Sequence, residues 1–187
     1  MLLNEAETRA EHIDPALKQV GWGVVDGSRM RREHPITLGR IEGPGKRGKP
    51  LTADYVLEYR NTKLAIIEAK AWDEALTEGV GQAKNYADKM KIRYTYSSNG
   101  QGIYGIDMHT GKEGVLARYP TPQELWSRNR AWKGLTSDEE AIVRQDYFED
   151  GSGKEPRYYQ MNAINAAVEA IAKGQNRILL VMATRAA

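Results

Sequence analysis

Apolar and polar residues alternate through TADYVLEYRNTKLAIIEAK, residues 52–70. A period of two in two short runs, broken at Arg60-Asn61-Thr62, predicts a β-hairpin. A three-residue turn there pairs Tyr59 with Lys63 and carries the register on to Asp54 opposite Glu68. Alternation then sets Asp54, Val56 and Glu58 on one face of the first strand. Leu64, Ile66, Glu68 and Lys70 share one face of the second. Glu58 lies near the turn and reads as exposed and passive.

Helical periods flank this hairpin. In NEAETRAEHIDPALKQVGW, Asn4 and Glu7 make an N-cap signature. Ala6, Ala10, Ile13, Leu17 and Val20 recur at helical spacing, and Gly21 ends the run. Pro15 inside it predicts a kink or a break. WGVV and EHPITL read as strands. From Asp73 to Lys91 a second helix is expected on Leu76, Val80, Ala83, Ala87 and Met90, weakened by Gly79 and Gly81. RYTYSSNGQGIYGIDMHTGK gives strands around turns at Asn99-Gly100 and Thr110-Gly111. TPQELWSRNRAW predicts a short helix, and Lys133 to Pro156 has the composition of a linker. PRYYQMNAINAAVEAIAKG is helical, and RILLVMAT reads as a buried strand. The expected organisation is an α/β domain over residues 1–150, then a helix and strand of a second unit over 151–187.

Composition narrows the class. The 187 residues are 41% hydrophobic and 28% charged, which suits a globular chain. The absence of cysteine excludes disulfides and thiolate metal sites. The N-terminus turns acidic too early for a secretory signal, and no apolar run reaches membrane-spanning length. A cytoplasmic protein without membrane contact is expected. His12, His34 and His109 are too scattered for a zinc site. The formal charge of +2 is too mild to prove nucleic-acid binding. Residues 39–50 nevertheless gather Arg40, Lys46, Arg47 and Lys49 among glycines and prolines, with Arg29, Arg31 and Arg32 upstream. Such a loop suits either phosphate contact or plain solvation.

The hairpin carries the candidate chemistry. Directly opposed strand residues sit about 4.5 to 5.5 Å apart at Cβ. Two carboxylates that close repel unless a positive charge intervenes. Either Lys70 makes an ordinary salt bridge there, or a divalent cation binds. Magnesium takes oxygen ligands from one or two carboxylates and keeps several waters. Asp54, Glu68 and the backbone carbonyl of Ala69 fit that demand. Lys70, on the face of Glu68, is placed to orient an attacking water or offset charge on a phosphate. Gln82 and Tyr86, four residues apart, project from one side of the following helix.

Asp54, Glu68-Ala69-Lys70 and GQAKNYA resemble the PD-(D/E)xK nuclease superfamily in its Gln-x-x-x-Tyr variant. Together with NEAETRAEHIDPALKQVGW, ADYVLEY, LAIIEAK and SSNG, they resemble the N-terminal nuclease domain of the restriction (R) subunit of type I restriction-modification enzymes. The resemblance covers roughly residues 4 to 130, with Ala53 where the superfamily name has proline. It implies a restriction-endonuclease-like fold, a mixed central sheet flanked by helices. It implies magnesium-dependent hydrolysis of double-stranded DNA, manganese substituting, with Asp54 and Glu68 as metal ligands and Lys70 as catalytic cation. Gln82 and Tyr86 become supporting site residues. A glutamate of the first helix is expected to complete the site, Glu7 in preference to Glu11.

Beyond residue 156 the chain resembles the opening of a superfamily 2 helicase motor, with Gln160 at the adenine-reading position. A phosphate-binding loop is expected after Met182-Ala183-Thr184, but Arg185-Ala186-Ala187 stand there. The resemblance thus implies a chain cut at the motor's first strand, with ATP used only in the full-length subunit. Implied partners are DNA and the modification and specificity subunits, with self-association through the C-terminal segment. The other reading is a non-cleaving DNA-binding or assembly fragment, inactive without motor and partners.

Overall fold

Asn4 opens the first helix through a reciprocal cap: its side chain accepts from the Glu7 amide at 2.9 Å, and the Glu7 carboxylate accepts from the Asn4 amide at 2.8 Å. In this computed structural model, which describes residues 3–37, 50–145 and 156–182 in full and the backbone of 41–43 and 46–47, the helix does not break at Pro15. Helix α1 (Glu5–Thr8) passes into a π turn (Arg9–Ile13) and then into α2 (Asp14–Gln19). The Asp14 amide bonds to the Arg9 carbonyl, five residues back. The widened turn takes up the proline without ending the helix.

Six strands form the main sheet in the order β1-β4-β5-β6-β7-β8. They are β1 (Ser28–Thr37), β4 (Leu51–Tyr59), β5 (Thr62–Ala69), β6 (Tyr94–Ser98), β7 (Ile103–Asp107) and β8 (Glu113–Leu116). β5 and β6 run parallel and every other pair is antiparallel. The parallel step needs a crossover. It contains α3 (Val80–Met90). β2 (Ile41–Gly43) and β3 (Lys46–Arg47) make a separate two-stranded ribbon. Arg40 and Lys49 of the basic loop lie outside the described residues.

Apolar residues cover both faces of the sheet. One cluster joins Ile13, Leu17 and Trp22 to Tyr55, Leu57, Ile67, Tyr119, Leu125 and Trp126. The other packs Val56 and Ile66 against Tyr86, Ala87 and Met90 of α3. Helix α4 (Pro122–Lys133) belongs to the first layer, and α6 (Tyr158–Ala172) lies against α3.

The hairpin forms with a different turn. Arg60 and Asn61, at φ +52° and +58°, make a two-residue turn that pairs Tyr59 with Thr62 and Glu58 with Lys63. A bulge follows, so that Leu57 pairs with Ala65 and Tyr55 with Ile67. The expected register is therefore restored toward Asp54, while Leu64 turns into the first cluster instead of sharing a face with Ile66.

Several sequence expectations fail for local reasons. WGVV is no strand, because Gly21 and Gly23 take φ +100° and +70° and the chain turns. Trp22 is buried and donates to the Pro120 carbonyl at 2.8 Å. Residues 73–79 form turns ahead of α3, and Leu76 packs over Gly102. The presumed linker contains α5 (Ser137–Val143), capped by Thr136 and anchored by buried Glu140. Glu58 is buried, since Arg31 donates to it at 2.7 Å and Arg29 lies 3.7 Å away on neighbouring β1. Residues 178–182 are not a strand. Leu179 and Val181 are 88% and 81% exposed, and no strand pairs with them among the described residues. Residues 183–187 lie outside the described residues.

Candidate active site

The β4–β5 ladder stops at Tyr55–Ile67. Just beyond it the Ala69 amide donates to Asp54 Oδ2 at 2.8 Å, taking a side chain where the ladder would offer backbone. Asp54 thus stands where the two strands part. On the far side of β5, the Lys70 amide donates to the Ser98 carbonyl at 2.9 Å. A strand residue's N–H and C=O point the same way, so the Ala69 carbonyl also faces Asp54.

Glu68 sits beside Ser97 in the parallel β5–β6 register and is only 4% exposed. Its Oε2 and the Ser97 hydroxyl are both buried without a hydrogen-bond partner. Burial, reinforced by the Asp54 charge, pushes the Glu68 carboxyl up to about 8, with Lys70 opposing. Asp54 is raised too, by burial, against the lowering effect of the Ala69 amide, Arg9 and Lys70. Buried carboxylates with shifted pKa values, one of them holding an oxygen without a donor, cluster at functional sites.

Lys70 Nζ lies 3.8 Å from Glu68 Oε1 and donates to Gln82 Oε1 at 2.8 Å. Tyr86, one turn further along α3, is buried, and its pKa is raised by that burial and then by the nearby Glu68 charge. The first turns of α3 therefore bring Gln82 and Tyr86 against Lys70 and Glu68, so five of the six sequence-nominated catalytic side chains gather at the end of the hairpin.

Glu7 is the exception, because its carboxylate serves the cap of α1. Glu5 is the glutamate in the field of the site. Its pKa is raised by burial and then by Asp54, while Arg9 and Lys70 act against the rise. The capping signature itself already assigned Glu7 elsewhere. Gln160 likewise accepts from the Arg157 amide at 2.9 Å as a helix cap.

The site suits a hard cation without caging one. Among the described residues no three His, Cys, Asp or Glu side chains form a ready metal cluster. Asp54 Oδ1, Glu68 Oε2 and the Ala69 carbonyl are an all-oxygen set with a buried carboxylate oxygen lacking a donor. That set fits magnesium, which retains waters and takes few protein ligands.

A mixed six-stranded sheet between helical layers, with this hairpin near its middle, is an α/β restriction-endonuclease-like fold. A fragment of a putative HsdR subunit of a type I restriction enzyme from Vibrio vulnificus YJ016 superposes with a TM-score of 0.88 at 36% identity. The match covers 98% of this chain and 35% of that one. The type I restriction enzyme EcoAI endonuclease subunit of Escherichia coli is 38% identical over 193 aligned positions, covering 97% of this chain. The chain spans about a quarter of that subunit's length, 24%. No protein-family model matches. The chain is thus homologous to type I restriction enzyme R subunits, matching their N-terminal part.

Proposed function

We propose that this chain is the nuclease part of a type I restriction subunit, hydrolysing phosphodiester bonds of double-stranded DNA with magnesium and without reading sequence. The observation that carries the reading is the buried Glu68 oxygen left without a donor beside Asp54, where the hairpin strands part. Asp54 Oδ1, Glu68 Oε2 and the Ala69 carbonyl would hold the ion, with Glu5 at the edge of the site. When bound, magnesium or manganese supplies Lewis-acid polarisation of the phosphate and a more acidic water. Lys70 offsets negative charge growing on the phosphoryl oxygens, and Gln82 fixes the direction of its ammonium. Tyr86, buried one turn on from Gln82 and close to Glu68, closes that side of the site.

Selectivity for particular DNA sites falls to the specificity and modification subunits in this reading. The test is nicking of supercoiled plasmid with magnesium or manganese, beside Asp54→Ala, Lys70→Ala and an EDTA control. Metal-dependent nicking lost in Asp54→Ala supports the proposal. Cation binding through Asp54 without any nicking favours an assembly fragment that cuts only with its partners. Equal nicking by Lys70→Ala removes Lys70 from the mechanism.

A further inference from the structure

One cation at the site has no part in the nuclease reading so far. Arg9, on the π turn, places Nη1 3.5 Å from Asp54 Oδ1 and Nη2 3.3 Å from Glu33 Oε1. Its side chain is only 18% exposed, although Glu33 is 71% exposed. Asp54 Oδ2 is occupied by the Ala69 amide, so Oδ1 is the oxygen left for a metal. Arg9 lies against that same oxygen.

Glu33 is itself unusual. It takes φ +49° inside β1, between the pairs Arg32–Tyr55 and His34–Ala53, and so directly across the sheet from Asp54. A side-chain-bearing residue in that region costs of order 1 kcal/mol or more and persists where the surroundings impose it. Here the distortion accompanies a carboxylate that takes the second arm of the guanidinium. The Arg9 charge also acts on Glu5 and Glu68, opposing protonation of both. One guanidinium therefore offsets the charge of four carboxylates, Asp54 and Glu33 by direct contact and Glu5 and Glu68 at longer range.

We propose that Arg9, tethered by Glu33, is a positioning residue that fills the cation side of Asp54 and yields Oδ1 when a divalent ion binds. This rests on the reading of Asp54 as a metal ligand. The arrangement keeps the carboxylates compensated before the ion arrives and sets a threshold on cation affinity.

The experiment is calorimetric titration with Ca2+, paired with thermal melts with and without Ca2+, on wild type, Arg9→Gln, Glu33→Gln and Asp54→Asn. Removing a competitor of this kind raises affinity by roughly fivefold or more. Arg9→Gln is expected to bind Ca2+ at least that much tighter than wild type, to melt lower without it, and to gain more on adding it. Glu33→Gln, altered at an exposed side chain, is expected to shift affinity the same way by less, which keeps the proposal testable if Arg9→Gln does not fold. Unchanged or weaker binding in Arg9→Gln, or in Glu33→Gln when Arg9→Gln does not fold, overturns the role of Arg9. Binding that persists in Asp54→Asn, or is absent from wild type, overturns the metal-site reading together with this inference.

Discussion

Gly79 and Glu68 are in contact so close that no side chain fits between them. A Cβ at Gly79 would lie 3.0 Å from Glu68 Cγ and 2.8 Å from Ser97 Oγ. The glycine sits at the start of α3 with an ordinary backbone, φ −79°, so its need is steric. It lets the helix settle directly onto the buried carboxylate.

Gly79→Ala is therefore expected to destabilise by about 1–3 kcal/mol through overpacking and to weaken cation binding. Gly81, two residues on, has nothing within 4 Å of the same added atom. Gly81→Ala should stabilise by about 0.5–1 kcal/mol through helix propensity. Urea denaturation of the two variants reads opposite signs.

Without a divalent ion, stability should fall as pH rises. Glu68 titrates near 8 in the folded protein and near 4.5 as an ordinary glutamate, so the folded state holds a proton that the unfolded chain has lost. Stability then declines between those values and is flat above the upper one. Asp54 and Glu5, also raised, act in the same direction. Thermal melts in EDTA from pH 5 to 8.5 should drop by about 5 °C or more, at roughly 2–4 °C per kcal/mol. Glu68→Gln should flatten the profile, and a pH-independent wild type would contradict the burial of this carboxyl.

Glu140 is the second buried acid whose loss should be felt. Its Oε1 accepts from Arg60 Nη1 and Trp126 Nε1, each at 2.8 Å, and its Oε2 lies 3.1 Å from Arg130 Nη1. Glu140→Ala strands those donors and is expected to cost about 3 kcal/mol in chemical denaturation. Glu113, paired with Lys84 at the surface, is the contrast. Its replacement by alanine should leave the denaturation midpoint unchanged within error.

Helix α6 buries none of its residues, and its hydrogen bond from Asn162 to the Lys89 carbonyl is 2.9 Å. A chain ending at residue 145 should keep most of the stability, losing about 1–2 kcal/mol with this contact and the Lys133–Glu169 ion pair. It should also aggregate less, because the exposed apolar run 178–182 is gone. Light scattering and denaturation of the two lengths decide the matter.

The hairpin was legible because a period of two survives any turn, and because Asp54 and Glu68 interrupt an apolar pattern. The turn itself is ambiguous in sequence, since one bulge exchanges for one turn residue: both versions carry the same register toward Asp54. Between the two glutamates, the cap written as Asn4-x-x-Glu7 claims Glu7 and leaves Glu5 to face Asp54. The roles of Arg9 beside Asp54 and of Gly79 against Glu68 are invisible in the sequence. Their importance lies in distances between separate segments, which no local period encodes. Residues 178–182 were read from apolar content alone, yet a strand exists only with a neighbour to bond.

The π turn has a consequence for the timing of side chains around the first helix. One extra residue in a turn advances the helix by about 100° relative to regular winding. Ile13 and Leu17 fix one end in the core, so Glu5 and Arg9 meet Asp54 only because the winding between them is off by that step. Excising a single residue from 9–13 would leave the composition nearly intact and the core anchored, yet swing both charges around the barrel of the helix. The placement of both charges beside Asp54 is set by a phase, and a one-residue slip is enough to detune it.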